Sequence, residues 1–246
     1  MTEIRTDRLP EKLARLRAIL EECESVCIGY SGGVDSVFLA RFALEVLGSM
    51  RVLAVTGRSA AVPAEQWQNA RACAREFGIP HLEVDTDELA DPNYAANPSN
   101  RCYFCKNELW AVLSRVALQR DLRTIMDGAN ADDAYDYRPG ALAGREWRVR
   151  SPLAEAELTK AEIRAASRAL GLPTWNQPSS PCLASRLPYG LAVTPARLQE
   201  VEAAEQVVRG FGFREFRVRH HGTAARLEFL PAEIARAAEL GPELVR

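Results

Sequence analysis

Three groups of residues in this 246-residue chain are of types, and at spacings, that do chemistry. The first is Ser31-Gly32-Gly33-Val34-Asp35-Ser36, a glycine turn between an apolar run ending at Tyr30 and a helical pattern carried by Val37, Phe38, Phe42 and Val46. At such a turn the unpaired backbone N–H groups and the positive end of the helix dipole favour an oxyanion. Gly32 and Gly33 remove side chains that would block its approach, and Ser31 and Ser36 add hydroxyls. The lysine of a Walker A loop is missing, with Asp35 in that neighbourhood, so the turn reads as a different kind of nucleotide phosphate cradle. The second group is Cys102 and Cys105, spaced C-x2-C, with Cys182 far along the chain. The third is Asp127-Gly128-Ala129-Asn130-Ala131-Asp132-Asp133. There Gly128 allows close approach of a ribose or base, and Asp132 and Asp133 offer the oxygens that Mg²⁺ takes when shared with phosphates. An acidic helix N-terminus would also use those aspartates.

Three thiols are one short of a closed structural zinc site, and no well-placed histidine completes it. They suffice for a [4Fe-4S] cluster whose fourth iron stays open. Three unrelated thiols, or a redox-active pair without metal, are the open alternatives. A helix starting at residue 101 and running to 119 would place the C-x2-C at its N-terminus, where the dipole should lower both thiol pKa values.

These residues need a frame to bring them together. A helix over 9–22, a strand ending at Tyr30, a second strand over 51–56, a helix over 63–77, a third strand over 81–85 and a fourth over 123–126 give a βαβ rhythm. The fold class is α/β, a doubly wound parallel sheet with ligands outside the carboxyl ends of its strands. Thr56, Gly57 and Arg58 then become nucleotide candidates, although Arg58 also reads as a solvated loop charge. Residues 91–100 read as an exposed loop and 136–145 as another, with Arg138, Pro139 and Gly140 lining the crevice. Thr159 and Glu162 form a capping box that opens a helix over 160–170. Lys160 at its start opposes the dipole, so it is either a post for ATP phosphate or a surface lysine. A proline-rich loop over 171–186 carries Cys182 across the crevice. Beyond it, a helix over 195–210, strands over 213–219 and 225–229 joined by a turn at 220–223, and a helix from 231 make a small α+β unit. We therefore expect a nucleotide domain at 1–186 and a second domain at 187–246.

Net charge of −2 provides no basic field for nucleic acid or an anionic membrane. No apolar run approaches the roughly 20 residues of a membrane span, and the charged start of the chain is not signal-like, so a cytoplasmic enzyme is expected. The six cysteines read as reduced thiols, with Cys23, Cys27 and Cys73 in the core.

The run S-G-G-V-D-S after a strand resembles the PP-loop of the ATP pyrophosphatases, which split ATP between its α- and β-phosphates. Together with R-C-Y-F-C-K, D-G-A-N-A-D-D and P-C-L-A-S-R-L-P-Y-G it resembles the LarE family over nearly the whole chain. The resemblance implies an adenine nucleotide alpha hydrolase-like domain and an ATP-dependent sulfurtransferase of nickel-pincer nucleotide biosynthesis. Such an enzyme adenylates the carboxylates of a pyridinium dicarboxylic acid mononucleotide and makes them thiocarboxylates. It implies ATP, Mg²⁺ and, because all three cysteines are present, a [4Fe-4S] cluster on Cys102, Cys105 and Cys182. Sacrifice of the Cys182 sulfur is the other strategy of the family. Homo-oligomers, commonly hexamers, are implied too. A substrate with a phosphate and two carboxylates calls for guanidinium groups. Arg186 is the first candidate, and Arg217 and Arg219 the next, unless these two only solvate a strand face. His220 and His221 lie in the expected turn and could bind iron or nickel, or be ordinary surface histidines. A tRNA thiolase, an amidating ligase and a non-enzymatic metal-binding module are the rival classes; the first lacks an RNA-binding domain here, the second has no use for the thiols, and the third leaves the cradle unexplained.

Overall fold

The computed structural model describes residues 8–135 and 139–244; Arg138, expected at the crevice, lies outside the described residues. β1 (Val26–Gly29), β2 (Val52–Arg58), β3 (His81–Asp85) and β4 (Thr124–Met126) form a parallel sheet in the order β3-β2-β1-β4. Val26 of β1 is in register with Val52 on one side and Thr124 on the other. The run Val26-Cys27-Ile28 is fully buried, as expected of a strand covered on both faces. Alternation divides it: Val26 and Ile28 join a core formed with α1 (Leu9–Cys23), α2 (Val34–Leu47) and α3 (Ala64–Glu76). Cys27 instead faces Trp110 and Leu113, after short α4 (Pro92–Ala95), on α5 (Arg101–Gln119). The strand order reverses at β1, with β2 and β3 to one side and β4 to the other. That reversal opens a crevice beyond the carboxyl ends of β1 and β4.

Several boundaries differ from the expectations. The loop over 136–145 contains α6 (Gly140–Glu146), whose Ala143 packs on the α5 side of the sheet. Short α7 (Pro152–Glu155) then leads to α8 (Lys160–Ala169), whose Thr159–Glu162 capping box is present. After α9 (Pro195–Gly210), the strand expected from 213 begins later, as β5 (Phe216–His221), paired antiparallel with β6 (Ala224–Phe229). His220 and His221 therefore belong to a strand, not a turn. Phe213 is instead fully buried in the small core that β5 shares with α9 and α10 (Ile234–Glu239), with α11 (Gly241–Leu244) beyond. α9 contributes to two cores: Leu198 and Val201 pack with Tyr94 and Leu183, whereas Val208 packs with Phe213. Among the described residues no helix is long and apolar enough to cross a membrane.

Candidate functional site

The glycine turn closes β1 and starts α2 one residue after Gly33, earlier than the apolar pattern indicated, so Asp35 and Ser36 lie in the first helical turn. Gly32 sits at φ 76°, and a Cβ there would lie 2.7 Å from the Cβ of Ala70 on α3. No side chain fits. The serines knit the turn together: the Ser36 hydroxyl donates to the Gly33 carbonyl at 3.2 Å and accepts from the Ser31 N–H at 3.2 Å. Ser31 Oγ in turn accepts from the Gly33 N–H at 3.3 Å. The first-turn N–H groups of α2 have no partner inside the helix, and Gly33, Asp35 and Ser36 line the crevice.

Gly128 lines the same crevice, but its missing side chain serves packing as well as access. A Cβ there would stand 3.1 Å from the Ser36 nitrogen and 3.3 Å from the Asp35 Cβ, so glycine lets the loop after β4 close onto the cradle. Lys160 Nζ reaches Asp35 Oδ2 at 2.5 Å, so it is committed to the cradle rather than to open solvent. Burial raises the Asp35 carboxyl, while Lys160 opposes that shift. The other carboxylate oxygen, Asp35 Oδ1, is buried without a hydrogen-bond partner. Asp133 lines the cavity beside it. Asp132 does not; its Oδ2 accepts the Lys160 backbone N–H at 2.7 Å and serves the start of α8. The expected aspartate pair is thus one cavity residue and one helix cap. Magnesium shared with phosphates needs only one or two carboxylates, which Asp35 and Asp133 supply.

One cavity of about 590 Å³ joins this cradle to all three singled-out cysteines. Its walls include Ser31, Gly33, Ser36 and Thr56 at one end and Cys102, Cys105 and Cys182 at the other. Its size suits a nucleotide and a second small molecule. Thr56 is fixed from behind: its hydroxyl donates to the Tyr30 carbonyl at 2.7 Å and lies 2.8 Å from His81 Nε2. Since that hydroxyl proton is spent on Tyr30, the histidine N–H is the donor, and burial holds the His81 pKa below its usual value.

The thiol end corrects one expectation. Burial, with Glu88 adding to it, pushes Cys105 up to about 12, and burial likewise raises Cys182 although Arg101 works against it. A helix N-terminus contributes only about 0.3–1 kcal/mol at a surface position, too little to offset removal of a thiolate from water. Without a bound cation these two thiols stay protonated. Among the described residues no three His, Cys, Asp or Glu side chains stand close enough to hold a single metal ion. A four-iron cluster is broader than an ion, so three thiols around one cavity suit the cluster better than they suit zinc.

The expected arginines do not converge on this cavity. Arg58 is held by Asp85 at 2.8 Å and Glu83 at 3.4 Å on the sheet edge. Arg186 is 5% exposed and bound to Glu205 at 2.7 Å, with further bonds to Ser185 Oγ and the Pro181 carbonyl. It fastens the Cys182 loop to α9, and its charge is spent there. Arg219 bonds Glu228 at 3.0 Å and the Ser185 carbonyl at 3.0 Å. Arg217 lines a separate cavity of about 430 Å³, together with Arg209 and Arg214, and Gln66 borders both cavities. His220 contacts Glu200 at 3.3 Å. Sequence reasoning gave no role to Glu88, Tyr94, Arg101 and Lys106, all of which line the main cavity. Arg101 and Lys106 flank the C-x2-C in sequence, which was a usable signal; Glu88 and Tyr94 carried none.

The NAD synthase family model matches residues 11–107, which contain the cradle and the first three strands. Over 226 residues the chain is 46% identical to the uncharacterized protein slr1717 of Synechocystis sp., covering 92% of this chain and 84% of that one. Over 226 residues it is 35% identical to the pyridinium-3,5-bisthiocarboxylic acid mononucleotide synthase of Lactiplantibacillus plantarum, covering 92% and 82%. An NH(3)-dependent NAD(+) synthetase of Pelodictyon phaeoclathratiforme is 25% identical over 153 residues, covering 61% of this chain and 54% of that protein. The likeness to the thiocarboxylate synthase runs the greater length of both chains. The chain therefore belongs to the LarE family of ATP-using sulfurtransferases, built on a PP-loop α/β domain.

Proposed function

We propose that this enzyme adenylates the carboxylates of pyridinium-3,5-biscarboxylic acid mononucleotide with ATP and converts them to thiocarboxylates, with sulfur delivered through Cys102, Cys105 and Cys182. The observation that carries this reading is the single cavity lined by both the phosphate cradle and the three thiols. In the first half-reaction a substrate carboxylate oxygen attacks the α-phosphorus and pyrophosphate leaves. The turn from Ser31 to Ser36 receives the phosphates through backbone N–H groups, and Lys160 adds a positive charge beside them. Asp35 and Asp133 would hold Mg²⁺, which supplies charge neutralisation for the departing pyrophosphate. Thr56 and Gly128 border the space left for the nucleoside.

In the second half-reaction a sulfur nucleophile attacks the activated carbonyl carbon and AMP leaves. Cys102, Cys105 and Cys182 would hold a [4Fe-4S] cluster, whose open iron can carry an extra sulfide. The half-buried setting of Cys105 and Cys182, which raises both pKa values, keeps them as neutral thiols until a cation draws off their protons. Arg217, in the cavity beyond Gln66 that Arg209 and Arg214 also line, is the expected arginine assigned to the substrate phosphate. Arg186 and Arg219 act on the protein itself. The division into a PP-loop unit at 1–186 and a small α+β unit at 187–246, a cytoplasmic setting and assembly into a homo-oligomer belong to the same proposal. Nucleic acid does not: a net charge of −2 offers an RNA no field.

Anaerobic purification followed by iron and sulfide analysis tests the sulfur route, with about four irons per chain expected. Supplying ATP, Mg²⁺, sodium sulfide and the dicarboxylate nucleotide should then yield AMP, pyrophosphate and thiocarboxylate. No AMP would overturn the reading. Iron-free protein that turns over once, with Cys182 losing the mass of H₂S, would replace the cluster by a sacrificial cysteine.

A further inference from the structure

Near Cys182 the cavity wall carries two buried polar groups that the half-reactions above do not use. Arg101, the first residue of α5, is 5% exposed, and among the described residues no carboxylate lies within ion-pair distance of it. Burying a charge without a counter-charge is costly, so its surroundings must hold it in place. Its Nη1 donates to Asn97 Oδ1, and its guanidinium lies 5.6 Å from the Tyr189 ring centroid. Asn97 is fully buried in the left-handed region at φ 56°, with Nδ2 donating to the carbonyls of Pro188 and Leu191, each at 2.8 Å. A buried, strained asparagine with both ends of its amide engaged is a support built for the guanidinium. Tyr94 is 1% exposed, and its hydroxyl, buried on the same wall, has no hydrogen-bond partner. An unmade bond of that kind costs about 1–3 kcal/mol.

A fixed cation and an idle hydroxyl donor on one cavity wall are what a carboxylate needs. We infer that Arg101 and Tyr94 form a carboxylate subsite, which holds one ring carboxylate of the substrate while the other is presented to the cradle. This rests on the proposed dicarboxylate substrate. The consequence is selectivity: a ring with a single carboxylate can occupy the seat or reach the cradle, but cannot do both.

The test is titration calorimetry of the full-length protein with two probes, pyridine-3,5-dicarboxylate and pyridine-3-carboxylate. The wild type should prefer the dicarboxylate. Tyr94→Phe, which keeps the ring and the packing, should weaken dicarboxylate binding about tenfold, as expected for loss of a hydrogen bond to a charged group. Arg101→Met should abolish the preference, with circular dichroism confirming that the variant is folded. Equal affinity of the wild type for the two probes, or an unchanged affinity of Tyr94→Phe for the dicarboxylate, overturns the subsite. Failure of the broader reading looks different: the dicarboxylate probe would bind selectively, yet the dicarboxylate nucleotide would yield no AMP.

Discussion

The two ends of the cavity are built in opposite ways. The cradle is a single contiguous turn, Ser31 to Ser36, whose hydroxyls and backbone satisfy one another and whose direction is set by β1 and α2. The thiol end is assembled from segments far apart in the chain: Glu88 and Tyr94, then Arg101 to Lys106, then Cys182. Two of these are held by partners still further along the chain. Asn97 is tied to Pro188 and Leu191, and the Cys182 loop is tied through Arg186 to Glu205. A local motif can be inherited whole by many chemistries, whereas the remote assembly is where one chemistry is distinguished from another. The NAD synthase family model covers the cradle and the thiol-end segments up to residue 107, and it stops short of Cys182.

If the two ends work independently, damage to one should spare the other. The largest effect is expected for Lys160→Met, which removes the cation at Asp35. Pyrophosphate release should fall about 100-fold, a typical loss for one group that stabilises developing charge, while iron content stays unchanged. Loss of iron in that variant would break the comparison by showing that the ends are coupled. Arg186→Met should act on the other end and through stability. Leaving Glu205 buried and unpaired costs about 3–5 kcal/mol. The melting temperature measured by circular dichroism should drop by roughly 10 °C, with thiocarboxylate formation impaired more than AMP formation. An unchanged melting temperature would mean that the buried pair does not fasten the loop.

The contrast also explains what could be read from the residues alone. β3 falls on the expected residues, and the capping box at Thr159 is where its spacing placed it, because both are decided by neighbours a few positions away. Residues 91–100 read as an exposed loop because Pro92, Asn93, Asn97 and Pro98 punctuate it. In the fold Tyr94 and Asn97 are buried there, under cover supplied by chain from beyond residue 187. No local pattern encodes that cover. Asp132 and Asp133 were equivalent in sequence, but a tight turn directs one to the helix start at Lys160 and the other to the cavity. The direction expected for the Cys105 pKa reversed for a related reason: the dipole is visible in sequence, whereas the burial that outweighs it is a property of the packed chain.

Cys182→Ala, assayed for AMP and thiocarboxylate in the same anaerobic reaction with ATP and the dicarboxylate nucleotide, tests the separation of the two ends most directly. The variant is predicted to go on forming AMP and pyrophosphate while yielding no thiocarboxylate. Thiocarboxylate at the wild-type yield, or loss of AMP together with the thiocarboxylate, would contradict it.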